Sequence, residues 1–256
     1  MFIDPGSYFN TPARRIISLV PSITELLSDL ALDKEIVGIT KFCIHPMLWH
    51  KTKTRTGGTK TVNLQRIVQL QPDLILANKE ENTSSEVFYL AEHCNVLLTD
   101  ITTLEDACNM IGDIGQLTGK QLFADHIINT ISDGFKHIVP LSFPVKAAYF
   151  IWKDPYMVAG ADTFIDTMMS YCGFENCFAH LKRYPEITVK DVTKHNCDVI
   201  LLSSEPFPFA EKHLKQLKVE FPGIPIILVD GEMFSWYGSR LIKAPEYFQN
   251  LINSLR

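Results

Sequence analysis

Apolar and polar positions alternate in short blocks along the chain, and the period of each block predicts its element. Ile16-Ile17-Ser18-Leu19 is an apolar run of strand length, followed by helical spacing at Leu26, Leu27 and Leu30. Ser22-x-x-Glu25 reads as a capping box at the start of that helix, which puts Pro21 and Ser22 on the strand-to-helix turn. Ile36–Ile39 predicts a second strand. Leu74–Ala77 predicts a third, entered after Pro72 stops a helix beginning at Asn63 or Leu64. Thr83-x-x-Glu86 and Thr102-x-x-Glu105 cap two further helices on either side of a strand at Asn95–Leu98, and Gly119 stops the second. Strands alternating with helices in this way predict a parallel sheet covered on both faces.

Lys120 to Val139 carries Leu122, Phe123, Ile127, Ile131, Phe135 and Ile138 at helical spacing, ending before Pro140 and Pro144. At full length it would run about 30 Å and either act as a spine between two halves or serve as an ordinary crossover helix. Beyond it the grammar repeats. Val145–Ile151, Asp198–Leu202 and Ile224–Val229 read as strands, Asp162 caps a helix that Gly173 ends, and Thr188-x-x-Asp191 opens a short one. The expected fold is α/β: an N-terminal lobe over 1–118, a connecting backbone helix over 119–140 and a C-terminal lobe over 141–256, with a ligand cleft between lobes.

Composition narrows the function. Across 256 residues, 46% hydrophobic, a net charge of −5 arises from interspersed acids and bases without a basic stripe, which argues against nucleic acid as a partner. The first ten residues lack a basic and apolar export leader. The expected location is therefore cytoplasmic for the chain as written, and periplasmic if a leader precedes it. Six cysteines form no C-x2-C pair, which predicts free thiols. Cys43, His45 and His50 lie close in sequence but lack zinc-site spacing and read as a turn, so no metal site is expected.

The loops that follow predicted strands hold the candidate chemistry. They carry Lys41, Phe42 and Cys43, then Trp152, Pro155, Tyr156 and Met157, and then Met233, Phe234, Trp236, Tyr237 and Arg240. Aromatic faces with Lys60 and Arg240 nearby suit a large flat ligand with a polar rim, although Trp152 and Trp236 could equally be core residues beneath loops. Gly57-Gly58-Thr59-Lys60 lacks P-loop spacing and reads as a turn into the next helix. There is no G-x-S-x-G, H-E-x-x-H or G-x-G-x-x-G, so the usual hydrolase, zincin and dinucleotide fingerprints are missing. A non-enzyme is expected.

An ordered series of segments carries a family resemblance: Arg15–Leu27, Val37–Cys43, Gly57–Ala77, Val158–Asp166, Cys172–Phe178, Tyr184–Thr188 and Ser239–Ile242. The chain resembles the cobalamin-binding, BtuF-like branch of class III periplasmic substrate-binding proteins, the helical backbone metal receptors. The resemblance implies a monomeric receptor for a corrinoid such as cobalamin (vitamin B12), or for a ferric chelate, with no intrinsic cofactor. A siderophore or haem ligand, or a cytoplasmic enzyme or salvage factor on the same scaffold, is the alternative. Carried over position by position, it implies ligand contacts at Pro21, Ser22, Phe42, Cys43, Thr59, Lys60, Trp152, Pro155, Phe234, Trp236 and Arg240. It also implies docking on the membrane subunits of an ABC transporter through Gln65 and Asp191. The family pattern has an acid at both docking positions, and the neutral Gln65 would weaken charge-steered docking.

Overall fold

The computed structural model describes residues 1–255. In chain order its elements are β1 (Ile16–Ser18), α1 (Pro21–Asp29), β2 (Ile36–Ile39), α2 (Met47–Thr52), α3 (Leu64–Gln69), β3 (Leu74–Asn78), α4 (Ser84–His93), β4 (Val96–Thr99), α5 (Leu104–Thr118) and α6 (Gln121–Lys136). There follow β5 (Val145–Trp152), β6 (Tyr156–Val158), α7 (Phe164–Cys172), β7 (Phe174–Asn176), β8 (Glu186–Ile187), α8 (Val189–Lys194), β9 (Val199–Ser203), α9 (Glu211–Glu220), β10 (Ile226–Val229), α10 (Gly231–Ser235), a 3-10 turn (Ser239–Ile242) and α11 (Ala244–Ser254).

The chain divides into two compact units. The first is Met1–Asp133 with Trp236–Ile242, and the second is Gly134–Ser235 with the chain from Lys243 onward. The break falls inside α6, and the seven-residue excursion brings Trp236 and Arg240 into the first unit although they follow the second in sequence.

In the first unit four strands pair in the order β2-β1-β3-β4, all parallel. Each strand is apolar nearly throughout because both faces of such a sheet are covered. Ile17, Leu19, Ile75, Ala77 and Val96 pack on one side with Ile67, Val87 and Leu90 from α3 and α4.

The second unit departs from the all-parallel expectation. Its sheet runs β10-β9-β5-β6-β8 with β7 added beside β5. β10, β9, β5 and β7 are parallel, whereas β6 returns antiparallel on β5 and β8 pairs antiparallel with β6. The reason is local: only Lys153, Asp154 and Pro155 separate β5 from β6, a connection too short for a helical crossover. Ala148, Phe150, Ile200 and Leu202 form its core with Phe178, Leu217 and Phe221.

Several predicted helix starts are corrected by tertiary partners. α1 begins at Pro21, where the missing N–H costs nothing, and no Ser22–Glu25 capping box forms. Thr83 makes no cap bond either; its hydroxyl donates to Lys60 O (2.8 Å), and Glu86 accepts from the Val62 N–H (3.2 Å). At α5 the box is Thr103–Asp106, one residue beyond the predicted pair, and at α7 Thr163 rather than Asp162 caps. At α8 Asp191 accepts from the Thr188 N–H while its own N–H bonds the Thr188 carbonyl, and Gly119 ends α5 in the left-handed conformation (φ 69°). α6 has 16 residues, about 24 Å, shorter than the predicted Lys120–Val139.

The expectation of six free thiols is also overturned. Cys177 and Cys197 are disulfide-bonded, Cα–Cα 6.1 Å, while Cys43, Cys94, Cys108 and Cys172 are free. Their 20-residue separation concealed a contact made where the β7 exit meets the β9 entry.

Candidate functional site

In the first unit the loops at the carboxyl ends of the strands converge. Leu19 and Val20 lead from β1 into α1. Asn82, which follows β3, donates from Nδ2 to both Leu19 O (3.2 Å) and Thr59 O (3.0 Å). That buried amide ties the β1 exit to the turn at 57–62, where Gly58 N–H reaches Thr61 O at 2.8 Å. Gly57 has φ 108°, and a Cβ there would lie 2.6 Å from Thr61 O, so the turn requires glycine. Lys41 N–H donates to Gly57 O (2.8 Å), which brings the β2 exit alongside. Thr59 is consequently buried, and Lys60 is exposed with its ammonium on Glu80 O.

The β2 exit then presents an apolar surface. Phe42, Ile44, Met47 and Leu48 are 51%, 41%, 57% and 65% exposed. Lys41 Nζ lies 5.0 Å from the Phe42 ring centre, and His45 meets Trp236 edge to face at 5.6 Å. These large apolar side chains, exposed within seven residues of one another, form a surface patch. Of the four, only Phe42 was legible as a candidate. The others lie in a loop and short helix whose period carries no strand or helix signal.

Cys43 faces the opposite way. It is fully buried, with Sγ 3.0 Å from Thr24 Oγ1 and 3.2 Å from Thr40 Oγ1, and burial pushes its thiol above the ordinary range. A thiol enclosed and held protonated in this way is a poor nucleophile. Nor do its neighbours assemble a metal site. His50 Nδ1 lies 3.2 Å from Cys43 O, and among the described residues no group of three or more His, Cys, Asp or Glu side chains could hold an ion.

Arg240 is not presented to solvent. Its Nε and Nη2 reach the two Glu25 oxygens, each at 2.8 Å, with both side chains largely buried. Its guanidinium also lies 4.8 Å from the Trp236 ring centre. A Cβ on Gly238 would be 2.6 Å from Ser22 O, so the backbone of 236–242 packs directly on the first turn of α1. The Glu25 carboxylate expected to cap α1 therefore clamps this segment. Pro21 stays partly accessible, whereas Ser22 is buried with its Oγ unpartnered.

In the second unit Trp152 is 39% exposed at the end of β5 and meets Phe207 edge to face at 5.6 Å; Pro155 follows, exposed. Phe234 is corrected: it is fully buried, 5.1 Å from the Tyr149 ring and 4.8 Å from that of Phe248, which leaves no ring face for a ligand. Gln65 is exposed on the first turn of α3. Asp191 accepts from Thr188 N–H (2.8 Å) and Oγ1 (2.7 Å), and the Thr188 hydroxyl bond holds its carboxyl below the usual range.

Comparison with known proteins agrees with this architecture. The uncharacterized ABC transporter substrate-binding lipoprotein YvrC of Bacillus subtilis is 26% identical over 199 residues, 73% of this chain and 63% of its own length. The chain thus spans under two thirds of that relative. A vitamin B12-binding protein of Vibrio parahaemolyticus is 24% identical over 79% of this chain and 75% of its own. Among solved structures, the periplasmic vitamin B12-binding protein BtuF of Vibrio cholerae superimposes with a TM-score of 0.79 at 20% identity, covering 95% of this chain and 98% of its own. The periplasmic heme-binding protein BhuT, in complex with two hemes, does so with 0.80 at 19%, covering 95% and 99%. With its residues 16–220 matched by the family described as periplasmic binding protein, the chain belongs to that family.

Proposed function

We propose that this protein is a non-enzymatic receptor for a corrinoid or a closely related metal chelate, serving the membrane subunits of an ABC-type uptake system. The observation that carries the reading is the exposed apolar surface Phe42–Leu48 in a chain of the periplasmic binding protein family. A corrinoid carries its own metal, so recognition needs apolar contact and hydrogen bonds at the ligand rim rather than protein ligands to cobalt. Phe42, Ile44, Met47 and Leu48 offer the first, and Lys41, beside the Phe42 ring, and the exposed Lys60 supply polar groups for the second. The relatives named for vitamin B12 favour a corrinoid among the candidate chelates.

One observation favours haem as the second reading. The His45 imidazole stands against Trp236 beside the apolar surface, where it could serve as an axial ligand to iron. Titration of purified protein with cobalamin, cobinamide and hemin, followed by absorbance and calorimetry, separates the two. Saturable micromolar or tighter binding of a corrinoid supports the first reading. A Soret shift with hemin that His45→Ala abolishes supports the second, and silence with all three rejects both.

Asp191 and Gln65 are the proposed docking positions, with the acid supplying attraction to a basic permease surface. The Cys177–Cys197 bond supports work in an oxidising compartment, in contrast to the cytoplasmic expectation.

A further inference from the structure

The loop that leaves β9 carries an aromatic cluster that no periodic pattern in the sequence marks. β5 and β9 are parallel neighbours, so Trp152 at the end of one and the 204–210 loop after the other lie at the same, carboxyl-terminal edge of the sheet in the second unit. Phe207 N–H donates to Ile151 O (3.2 Å) and ties the loop to the β5 exit, and Phe209 N–H donates to Phe207 O (2.8 Å) in a tight turn. The rings gather accordingly. Phe207 lies 5.6 Å from Trp152, 4.7 Å from Phe209 and 5.3 Å from His213, and Phe209 lies 5.7 Å from His213. Phe209 is buried, whereas Trp152 is 39% exposed and Phe207 and His213 are each partly exposed.

His213 is fixed by the backbone at the start of α9. Its N–H donates to Ala210 O (2.8 Å) and its Nδ1 accepts from Ala210 N–H (2.9 Å), so the third residue of the helix serves the cap from its side chain. Burial, with the Lys212 and Lys153 charges adding repulsion, pushes the imidazole below its ordinary range, so the ring is neutral near neutral pH. A neutral imidazole that accepts at Nδ1 carries its proton on Nε2. That Nε2–H has no hydrogen-bond partner among the described residues, which leaves one oriented donor beside an aromatic surface.

We propose that Phe207 and His213 are recognition residues for a flat metal chelate: Phe207 gives ring contact together with Trp152, and His213 Nε2–H donates to a carbonyl or carboxylate oxygen at the chelate rim. Their role rests on the receptor reading above and adds to it the chemistry of one rim position. With its Nδ1 lone pair committed to Ala210, His213 acts as a donor and not as a ligand to the chelated metal. The neighbouring charges favour the same kind of rim group, because Lys212 and Lys153 both act on His213 and Lys153 Nζ donates to Gln216 Oε1 (2.5 Å) on the same helix. Corrinoid side chains offer amide carbonyls and haem offers carboxylates, so either chelate brings an oxygen acceptor to this donor.

The test titrates the full chain with cobalamin and with hemin, by absorbance and calorimetry, beside Phe207→Leu and His213→Asn. Leucine keeps apolar bulk and removes the ring. Asparagine keeps an acceptor for Ala210 N–H but is too short to reach the Nε2 position. Both variants should melt close to wild type and bind the chelate that wild type binds at least about tenfold more weakly. Weakened cobalamin identifies an amide carbonyl as the acceptor, and weakened hemin a carboxylate. His213→Gln, which restores both a cap acceptor and a longer amide donor, should regain part of the lost affinity. Wild-type binding with unchanged affinity in Phe207→Leu and His213→Asn overturns the assignment and leaves the receptor reading standing. Loss of affinity in His213→Asn that only tracks lost stability, without recovery in His213→Gln, likewise overturns the role of His213. Silence of the wild type with both chelates removes the receptor reading, and the recognition role with it.

Discussion

Breaking the Glu25–Arg240 pair tests whether Arg240 is a clamp or a ligand contact. The two groups are 215 residues apart in sequence, joined by two charge-assisted bonds of 2.8 Å, with side chains 14% and 10% exposed. Removing one member of a buried pair leaves the other charge without compensation, at about 3–5 kcal/mol. Because a little solvent reaches both, the lower end applies, so Glu25→Gln and Arg240→Met should each destabilise by about 3 kcal/mol. The double variant leaves no orphaned charge. It should lose about 4 kcal/mol rather than the sum of about 6, a coupling of about 2 kcal/mol. Urea unfolding of the four proteins in a double-mutant cycle supplies the numbers, with m-values held constant as the check on a common unfolded state. Corrinoid titration alongside should show the two single variants weakened alike, since both release Trp236. Coupling within about 0.5 kcal/mol of zero, or weakened ligand binding confined to Arg240→Met at full stability, would refute the clamp.

Phe42→Ala should weaken ligand binding by about 1–3 kcal/mol with little change in melting temperature, because half of the ring is already in water. Trp236→Ala should lower both affinity and stability, since that ring is 6% exposed and carries the Arg240 guanidinium; retained stability would place the ring outside the core. Replacing both Cys177 and Cys197 by serine should cost about 3 kcal/mol under oxidising, metal-free conditions, from the 20-residue loop that the bond closes, read as the change in urea midpoint. Cys172 has its thiol pushed up to about 12 by burial, above its unfolded value. Protonated in the folded state while the unfolded chain ionises, it should make stability fall as pH rises from about 9 toward 12, a slope that Cys172→Ala reduces. Thiol-reactive dye at neutral pH should label neither Cys43 nor Cys172 before unfolding.

Apolar period and turn chemistry alone determined the α/β class, the strands β1 to β5, β9 and β10, the long α6 and the stop at Gly119, because these depend on interactions within a few residues. The series of family segments also depends only on local order, and it pointed to the periplasmic binding protein family without any coordinates. Tertiary structure decided where polar side chains spend their hydrogen bonds. Glu25, Thr83 and Glu86 sit in sequence as capping residues, yet each has a partner beyond its own helix. The same holds for the site. Phe42 and Phe234 are equivalent in sequence, aromatics after strands, but one lies half in water and the other between Tyr149 and Phe248. The return of Trp236–Ile242 to the first unit, the Asn82 bridge, the Cys177–Cys197 bond and the His180–His195 ring contact join residues far apart in the chain. Period and spacing encode which face of an element is buried, not what another segment brings against it, and that second quantity exists only once the chain has folded.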